Sequence, residues 1–210
     1  GITGKNKVDI DNYTTYTKNR KGRIMGGVST SIHNDQADQA IKTVEGVDND
    51  EFLITRHSQF ITPINIINIY GETESRCSNK DIEDRWNRII GHATKIKQRN
   101  EDVIIIGDLN KHVGNDNLGI KNNHAKVSFG GGLVRELIST DEYILLNNSD
   151  KSVGGPFTRI DPADLTNDSK KAALDLIIIS KGLAIYVDKV YIDKENKYPM
   201  QRGNKKRLPK

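Results

Sequence analysis

The sequence contains few of the residues that build disulfides and zinc sites. Cys77 is the only cysteine among the 210 residues, so no intramolecular disulfide can form, and a reducing compartment is the simpler expectation. The five histidines do not combine with it at the spacing of a structural zinc site. A single cysteine of this kind is more typical of a packed or exposed side chain than of a nucleophile.

Long apolar runs are absent from the sequence as well. No segment approaches the length of a membrane span, and residues 1–4 lack the character of a signal peptide, so we expect no membrane association. No internal repeat, heptad pattern or low-complexity block is present. Because the sequence begins without methionine and ends in a basic segment, we expect it to be part of a longer protein.

The overall composition is that of a globular domain. With 35% hydrophobic and 29% charged residues, the chain can bury a sizeable core, and we expect a single domain over residues 1–210. Lys and Arg exceed Asp and Glu by 32 to 28, and much of the basic charge lies in residues 18–23 and 202–207. Such clusters suit a polyanionic partner such as nucleic acid, and they are equally typical of solvated loops, so both interpretations remain open.

The apolar periodicity predicts more strands than helices. Amphipathic helices are predicted at residues 81–99, with Asn79 or Asp81 as the cap, and at residues 133–139. Because these helices fall between strands without strict alternation, the pattern favours a two-sheet β-sandwich with flanking helices, a mixed α/β fold, over a doubly wound parallel sheet. Strands are predicted at residues 13–17, 26–32, 40–44, 51–55 (with 59–61 extending or pairing with it), 64–70, 102–107, 144–147, 157–158, 172–180 and 187–192.

The strongest candidate for a functional segment follows the β-branched run at residues 103–106. Four consecutive β-branched residues are typical of a strand buried on both faces, and Gly107 ends the run. Asp108 and Asn110 are two residues apart, so in an extended chain their carboxylate and carboxamide would point to the same side. The same Gly-Asp-x-Asn sequence is also good turn chemistry, and from this segment alone a site and a plain turn remain equally open.

A second β-branched run also carries an acid. Asp175 interrupts the apolar sequence at residues 174–178, and a buried carboxylate is normally ion-paired or bound to a metal. A structural salt bridge is the alternative. Together with Asp108 and Asn110, Asp175 would supply hard oxygen ligands, which suit Mg²⁺ or Mn²⁺ rather than zinc.

Several motifs in a fixed order resemble the endonuclease/exonuclease/phosphatase superfamily, which has the DNase I-like and apurinic-endonuclease-like fold. The motifs are Asn-Ile-Tyr-Gly at residues 68–71, the helix, Ile-Gly-Asp-Leu-Asn at 106–110, Phe-Thr at 157–158 and Leu-Asp-Leu-Ile at 174–177. Residues 20–28 resemble the K-G-R-x-G-G-V run of LINE-type (non-LTR) retrotransposon endonucleases, and residues 131–137 resemble a helix that follows the G-D-F-N motif. The resemblance covers roughly residues 12–200.

The resemblance implies a role for individual residues. Asp108 matches the acid that acts as, or orients, the base for the attacking water. Asn110 matches an amide that contacts the scissile phosphate, and Tyr70 a tyrosine that leans on the same phosphate. Asp175 matches the acid that orients a catalytic histidine, and Thr158 a hydroxyl near the phosphate.

The resemblance also implies a substrate, a cofactor and partners. It implies a hydrolase that cuts phosphodiester bonds in DNA with Mg²⁺ or Mn²⁺, holding the phosphate backbone with basic residues such as Lys21 and Arg23. In retrotransposons such domains precede a reverse transcriptase in one polyprotein, so a fused reverse transcriptase is an expected partner. The expected location is intracellular, and nuclear if the substrate is chromosomal DNA.

Parts of the family pattern cannot be placed in this sequence. The family has an Asn on its first strand and a Glu on the next strand that holds the metal, and it closes with Ser/Thr-Asp-His. Because the Glu cannot be placed, the metal ligand in this chain is unknown. Either residues 195–199 are a decayed form of the closing motif, or the sequence is truncated at both ends, which we favour. We therefore expect this chain to be a weak or inactive nuclease.

Two alternative functions remain open: a catalytically silent scaffold or binding module of the same fold, and a phosphatase that acts on a small phosphoester.

Overall fold

The computed structural model describes residues 10–19, 27–37, 41–43, 52–114, 126–154, 158–160 and 171–192. Two α-helices are present in these ranges, α1 (Asn79–Gln98) and α2 (Phe129–Ser139). The strands are β1 (Tyr13–Asn19), β2 (Gly27–His33), β3 (Ile41–Thr43), β4 (Phe52–His57), β5 (Ile64–Tyr70), β6 (Asp102–Asp108), β7 (Tyr143–Leu145), β8 (Ser152–Val153), β9 (Arg159–Ile160), β10 (Lys171–Ala172), β11 (Asp175–Ser180) and β12 (Val190–Tyr191).

A six-stranded mixed sheet lies at the centre of the fold. Its strand order is β3-β4-β5-β6-β11-β7. Only β5 and β6 run parallel within it, joined through α1, and the other neighbours are antiparallel. A parallel pair needs a crossover connection, which explains why the longest helix stands between these two strands in the sequence.

The two helices cover one face of the central sheet. Their apolar side chains pack on alternate strand residues, among them Ile67, Val103, Ile105 and Ile178, none of which is exposed. The intervening residues of the same strands, such as Ile104, face a second apolar cluster on the opposite side. Strands covered on both faces account for the continuous apolar runs in the sequence, as predicted.

The second layer covers the opposite face of the central sheet. The antiparallel hairpin of β1 and β2 contacts β4 and β5, and the Asn68 side chain of β5 links the two layers. Its Nδ2 donates to the Ser29 carbonyl oxygen (2.8 Å) and to the Thr30 hydroxyl (3.3 Å). Two shorter pairs, β8 with β12 and β9 with β10, complete the described strands. The predicted mixed α/β architecture, sheets with flanking helices, is confirmed.

Helix α1 begins at Asn79, two residues before the predicted start, and its cap is neither of the predicted residues. Ser78 is the N-cap, and its hydroxyl accepts the backbone N–H of Asp81 (3.2 Å) while the Asp81 carboxylate accepts the backbone N–H of Ser78 (3.2 Å). This reciprocal pair is a capping box. The prediction that Asn79 or Asp81 caps the helix was therefore wrong, because Asp81 acts from the third helical position.

Other element boundaries differ from the predictions where a local turn replaces a strand. Residues 59–61 form bends between β4 and β5, and the predicted strand at residues 144–147 ends at Leu145, followed by a 3-10 helix at Leu146–Asn148. The apolar run at residues 172–180 divides between two strands, since β10 pairs with β9 whereas β11 joins the central sheet.

Some predictions lie outside the described residues. Lys21 and Arg23 are among them, as is the basic segment at residues 202–207. Neither described α-helix combines the length and the apolar composition that crossing a bilayer requires. The assignment of the chain to a single domain stays a prediction.

Candidate active site

Three of the predicted site residues form one row across the ends of neighbouring strands. Tyr70 is the last residue of β5, Asp108 the last of β6 and Asp175 the first of β11. Tyr70 pairs with Asp108 in the parallel register, and Asp108 pairs with Asp175 in the antiparallel register. Neighbouring strands lie about 4.8 Å apart, so the fold brings a phenol and two carboxylates within one small area.

The row lies on the face of the sheet away from the helices. Ile69, Leu109 and Leu176, the chain neighbours of the three residues, belong to the core under α1 and α2. Because side chains alternate between faces along a strand, the register places Tyr70, Asp108 and Asp175 on the opposite face, where Asn68 also contacts the second layer. Tyr70 is 38% exposed, Asp108 is half-buried and Asp175 is exposed. The row is therefore open to a ligand.

Two glycines allow the ends of β5 and β6 to approach closely. Gly107 has φ +135°, and a Cβ there would lie 2.1 Å from the Ile69 carbonyl oxygen. A Cβ on Gly71 would lie 2.2 Å from the Leu109 carbonyl oxygen. The Gly71 N–H donates to the Asp108 carbonyl oxygen (2.6 Å), which continues the pairing past Tyr70. Glycine at both positions is therefore a condition for the register that aligns the row.

Asn110 reaches the site through a turn and not through an extended strand. Its φ is +50°, in the left-handed region, and its backbone N–H donates to Asp108 Oδ1 (3.0 Å). This is the turn chemistry that Asp and Asn favour. Its Nδ2 donates to the Gly71 carbonyl oxygen (2.7 Å). The extended-chain argument for Asp108 and Asn110 was therefore wrong, although the turn still brings the Asn110 backbone into contact with the Asp108 carboxylate.

Asp175 is not the buried acid that the sequence indicated. Its side chain is exposed because β11 begins at this residue, whereas the following residues of the strand are covered by the helices or by the second apolar cluster. Within the described part of the chain, the Asp175 carboxylate forms no ion pair, so the salt-bridge alternative finds no support there. The cost of burying a charge therefore does not explain this residue.

Side chains from other segments fix the backbone at the start of β11. The Thr158 hydroxyl accepts the backbone N–H groups of Leu174 and Asp175, both at 3.0 Å. The Asn147 amide donates to the Asp175 carbonyl oxygen (2.9 Å). Thr158, predicted to lie near the phosphate, is thus placed beside Asp175, where its observed contacts hold the backbone. Its contact with a phosphate stays a prediction.

Lys111, like Asn147, is a residue near the row that the sequence did not indicate. Its ammonium donates to the Glu72 carbonyl oxygen (3.1 Å) and lies 3.7 Å from the Glu74 carboxylate. Burial lowers the pKa of Lys111, and the charge of Glu74 opposes this effect. Lys111 follows Asn110 directly and holds the segment after Tyr70. Its position next to the Gly-Asp-Leu-Asn motif was the one available signal.

Lys111 also lines a cavity of about 50 Å³ between the helices and the ends of β5 and β6. Apolar side chains including Trp86 and Leu109 form much of the wall. Arg85 and Glu72 line it too, and their side chains are 3.6 Å apart. Trp86 packs partly buried against the core, as predicted. The cavity lies on the helix side of the sheet, and its lining includes Tyr70 at the end of β5 but neither Asp108 nor Asp175.

The described residues provide only part of a metal site. Asp108, Asn110 and Asp175 offer the hard oxygen atoms that Mg²⁺ prefers. Among the described residues, however, no three side chains of histidine, cysteine, aspartate and glutamate come close enough together to hold a metal ion. Within the described ranges, the donor set is thus incomplete for a Mg²⁺ site.

Comparison with known proteins identifies the fold. No protein-family model matches the sequence, and no curated protein matches it. The structure matches the endonuclease domain of TRAS1, a telomere-specific non-LTR retrotransposon, with a TM-score of 0.56 and 13% identity over 83% of this chain and 69% of that chain.

Two further solved structures show the same likeness. The catalytic domain of Xenopus laevis APE2 gives a TM-score of 0.61 and 14% identity over 83% of this chain and 68% of that chain. AP endonuclease LMAP from Leishmania major gives a TM-score of 0.62 and 15% identity over 84% of this chain and 64% of that chain. This chain therefore spans about two-thirds of the length of each structure. At identities this low, the likeness establishes the fold alone, which is the DNase I-like fold, and it leaves the chemistry open.

Proposed function

We propose that this chain is a metal-dependent phosphodiesterase domain that nicks DNA. The observation that carries the proposal is the row of Tyr70, Asp108 and Asp175 across the ends of three adjacent strands, on a fold shared with solved nucleases. Fold alone does not specify function, so the row has to supply the chemical argument. A phenol and two carboxylates on one open face are suited to binding and hydrolysing a phosphoester.

In this mechanism the protein mainly positions the reactants. The Asp108 carboxylate accepts a proton from the attacking water, and the Asn110 N–H bonded to its Oδ1 fixes its direction. The Tyr70 hydroxyl donates a hydrogen bond to a phosphate oxygen on which negative charge develops. Asp175, one strand further, would orient a catalytic histidine, which the resemblance implies and which is not placed in this sequence. Holding these groups in register lowers the barrier through proximity and orientation.

The proposed ion is Mg²⁺ or Mn²⁺, because the available donors are carboxylate and amide oxygens. Bound beside the phosphate, such an ion would stabilise negative charge on the phosphoryl oxygens. We expect further ligands from outside the described residues. Isothermal titration with Mg²⁺ alone, compared between the wild type and Asp108→Ala, measures the contribution of this carboxylate to the site.

The proposed substrate is the phosphate backbone of DNA, with Lys21 and Arg23 as phosphate contacts. The basic residue clusters in the sequence support this assignment, and binding through them should weaken steeply as salt concentration rises. The structural likeness to the endonuclease domain of a non-LTR retrotransposon supports a retrotransposon origin, hence a fused reverse transcriptase and a nuclear site of action. These remain proposals about the whole protein.

A plasmid-nicking assay with Mg²⁺ or Mn²⁺ tests the proposed activity. We expect weak conversion of supercoiled plasmid to the open circle, lost in Asp108→Ala. Asp84→Ala is the matched control, since Asp84 is an exposed acid on α1, on the other face of the sheet. Equal nicking by the wild type and Asp108→Ala would contradict the proposal.

A catalytically silent domain of the same fold is the second candidate. The specific observation in its favour is the bond from Asn110 Nδ2 to the Gly71 carbonyl oxygen, which gives this amide a structural role in the loop. DNA binding with no metal-dependent cleavage would support this candidate. Cleavage of small phosphoesters without cleavage of DNA would instead favour a phosphatase.

A further inference from the structure

Strand β11 is paired on both edges only along part of its length. On one edge it pairs with β6 from Asp175 to Ile179. On the other edge β7 pairs only with residues 178–180, because the chain leaves the sheet after Leu145 and forms a 3-10 helix at Leu146–Asn148. Among the described residues, the beginning of β11, which carries Asp175, therefore has no neighbouring strand on the β7 side.

The side chain of Asn147 takes the place of the missing strand. Its Nδ2 donates to the Asp175 carbonyl oxygen (2.9 Å), and its Oδ1 accepts the backbone N–H of Ile177 (2.7 Å). Asn147 is 3% exposed, and both bonds are at least partly buried. A carboxamide carries the same donor and acceptor as a peptide group, and here it continues the antiparallel pattern at residues 175 and 177.

We propose that Asn147 is a positioning residue that holds Asp175 in register with Asp108. Breaking its two bonds would leave the partly buried Ile177 N–H and Asp175 C=O without these partners. The first residues of β11 would be held less firmly, among the described residues only by β6 and the Thr158 hydroxyl. Asp175 would then move relative to Asp108, although neither carboxylate contacts Asn147. The placement of Asp175 follows from the structure alone, whereas its effect on cleavage rests on the proposed function.

Amide hydrogen exchange measured by NMR tests the placement. In Asn147→Leu, which keeps the volume and removes both hydrogen bonds, the amide of Ile177 should exchange about tenfold to a hundredfold faster. Asn147→Asp retains an acceptor for this amide and should restore part of the protection. Ser180→Ala is the matched control: it removes a buried bond from the Val103 N–H to the Ser180 hydroxyl (2.9 Å) at the other end of β11.

Two patterns of exchange would overturn the proposal. One is unchanged protection of Ile177 in Asn147→Leu. The other is a uniform acceleration of all slow amides in Asn147→Leu, equal to that in Ser180→Ala, since a general loss of stability would produce it. Faster exchange confined to the start of β11 in Asn147→Leu alone would support local positioning.

Nicking kinetics separate the positioning from the proposed function. We expect Asn147→Leu to lower kcat about tenfold with KM unchanged, and to have no further effect in an Asp175→Ala background. Ser180→Ala should leave kcat unchanged. If Asn147→Leu lowered kcat further in the Asp175→Ala background, Asn147 would not act through Asp175. A wild-type chain that binds DNA without cleaving it would favour the catalytically silent domain over the proposed nuclease, and the exchange data would still decide the placement of Asp175.

Discussion

The two ends of the central sheet hold their charged residues in different ways. At the end away from the row, Glu101 is only 6% exposed and is surrounded by partners. Arg56 (2.8 Å), Asn65 (2.9 Å) and Arg99 (3.1 Å) all donate to its carboxylate. Chiefly through the bond from Arg56, these contacts lower the pKa of Glu101 to about 2. The hydrogen bonds of the Glu101 carboxylate therefore serve to stabilise the fold.

At the other end, the protein fixes the backbone and leaves an acid accessible. Asp175 is exposed, while Thr158 and Asn147 bind its backbone N–H and C=O. Asp108 is held by the backbone N–H of Asn110. A carboxylate that is held in place and still reaches solvent can meet a ligand. The comparison thus separates an acid that serves stability from acids suited to chemistry.

The largest expected effect is on catalysis at the row. Asp175→Ala should lower the nicking rate about 10³-fold, equivalent to about 4 kcal/mol, with the free energy of unfolding changed by less than about 0.5 kcal/mol. The reason is that the proposed function gives Asp175 a part in the chemistry, whereas its exposed side chain contributes little to stability. Nicking and urea denaturation should be measured on one preparation, with Asp84→Ala as the control. A large loss of stability in Asp175→Ala would mean that Asp175, like Glu101, serves to stabilise the fold.

The next effect concerns the close approach of β5 and β6. Gly107→Ala should destabilise the protein by about 3 kcal/mol, because the new Cβ meets the Ile69 carbonyl oxygen at a φ of +135°. Gly91→Ala is the control, since Gly91 lies exposed in α1 with nothing within 4 Å of a Cβ there. It should stabilise the helix by about 0.5–1 kcal/mol. Urea denaturation measures both, and equal effects would contradict this explanation of Gly107.

At the opposite end, Glu101→Gln should cost stability without affecting cleavage. We expect a loss of about 2 kcal/mol, since Arg56 and Arg99 lose a charged partner and are themselves partly exposed. The pKa of Glu101 is lower in the folded protein than its ordinary value of 4.5, so its contribution is present above about pH 4.5 and is lost as the pH falls toward 2. Urea denaturation as a function of pH should show that Glu101→Gln lacks this part of the acid sensitivity. Glu136→Gln, an exposed residue of α2, should retain it.

The smallest effect concerns Lys111. Lys111→Met should destabilise the protein by about 1 kcal/mol, because it removes the bond to the Glu72 carbonyl oxygen while keeping the apolar part of the side chain. Lys181→Met removes an exposed pair with Asp141 and should change stability by less than about 0.5 kcal/mol. Thermal unfolding compares the two. A larger loss of stability in Lys181→Met than in Lys111→Met would mean that burial does not determine how much these lysines contribute to stability.

The sequence by itself determined which segments form the centre of the fold. The β-branched runs became β5, β6 and β11, and the spacing of Ile82, Ile89 and Ile96 became the buried face of α1. These features depend on local periodicity and residue type, which the sequence displays directly. Resemblance of motifs in a fixed order then indicated the DNase I-like fold, which the structure confirms. The catalytic roles of Tyr70, Asp108, Asn110 and Asp175 stay predictions.

Only the tertiary structure decided how these residues meet. The register across three strands aligned Tyr70, Asp108 and Asp175, whereas their separations in sequence exceed 35 residues in every pair. It also placed Asn147 against β11, for which no local pattern gave a signal. Strand register depends on which faces are buried and on how closely the backbones approach, and both depend on contacts between segments far apart in the sequence. The sequence therefore determined the strands and their acids, and long-range packing decided that Asp175 is exposed whereas Glu101 is buried among its partners.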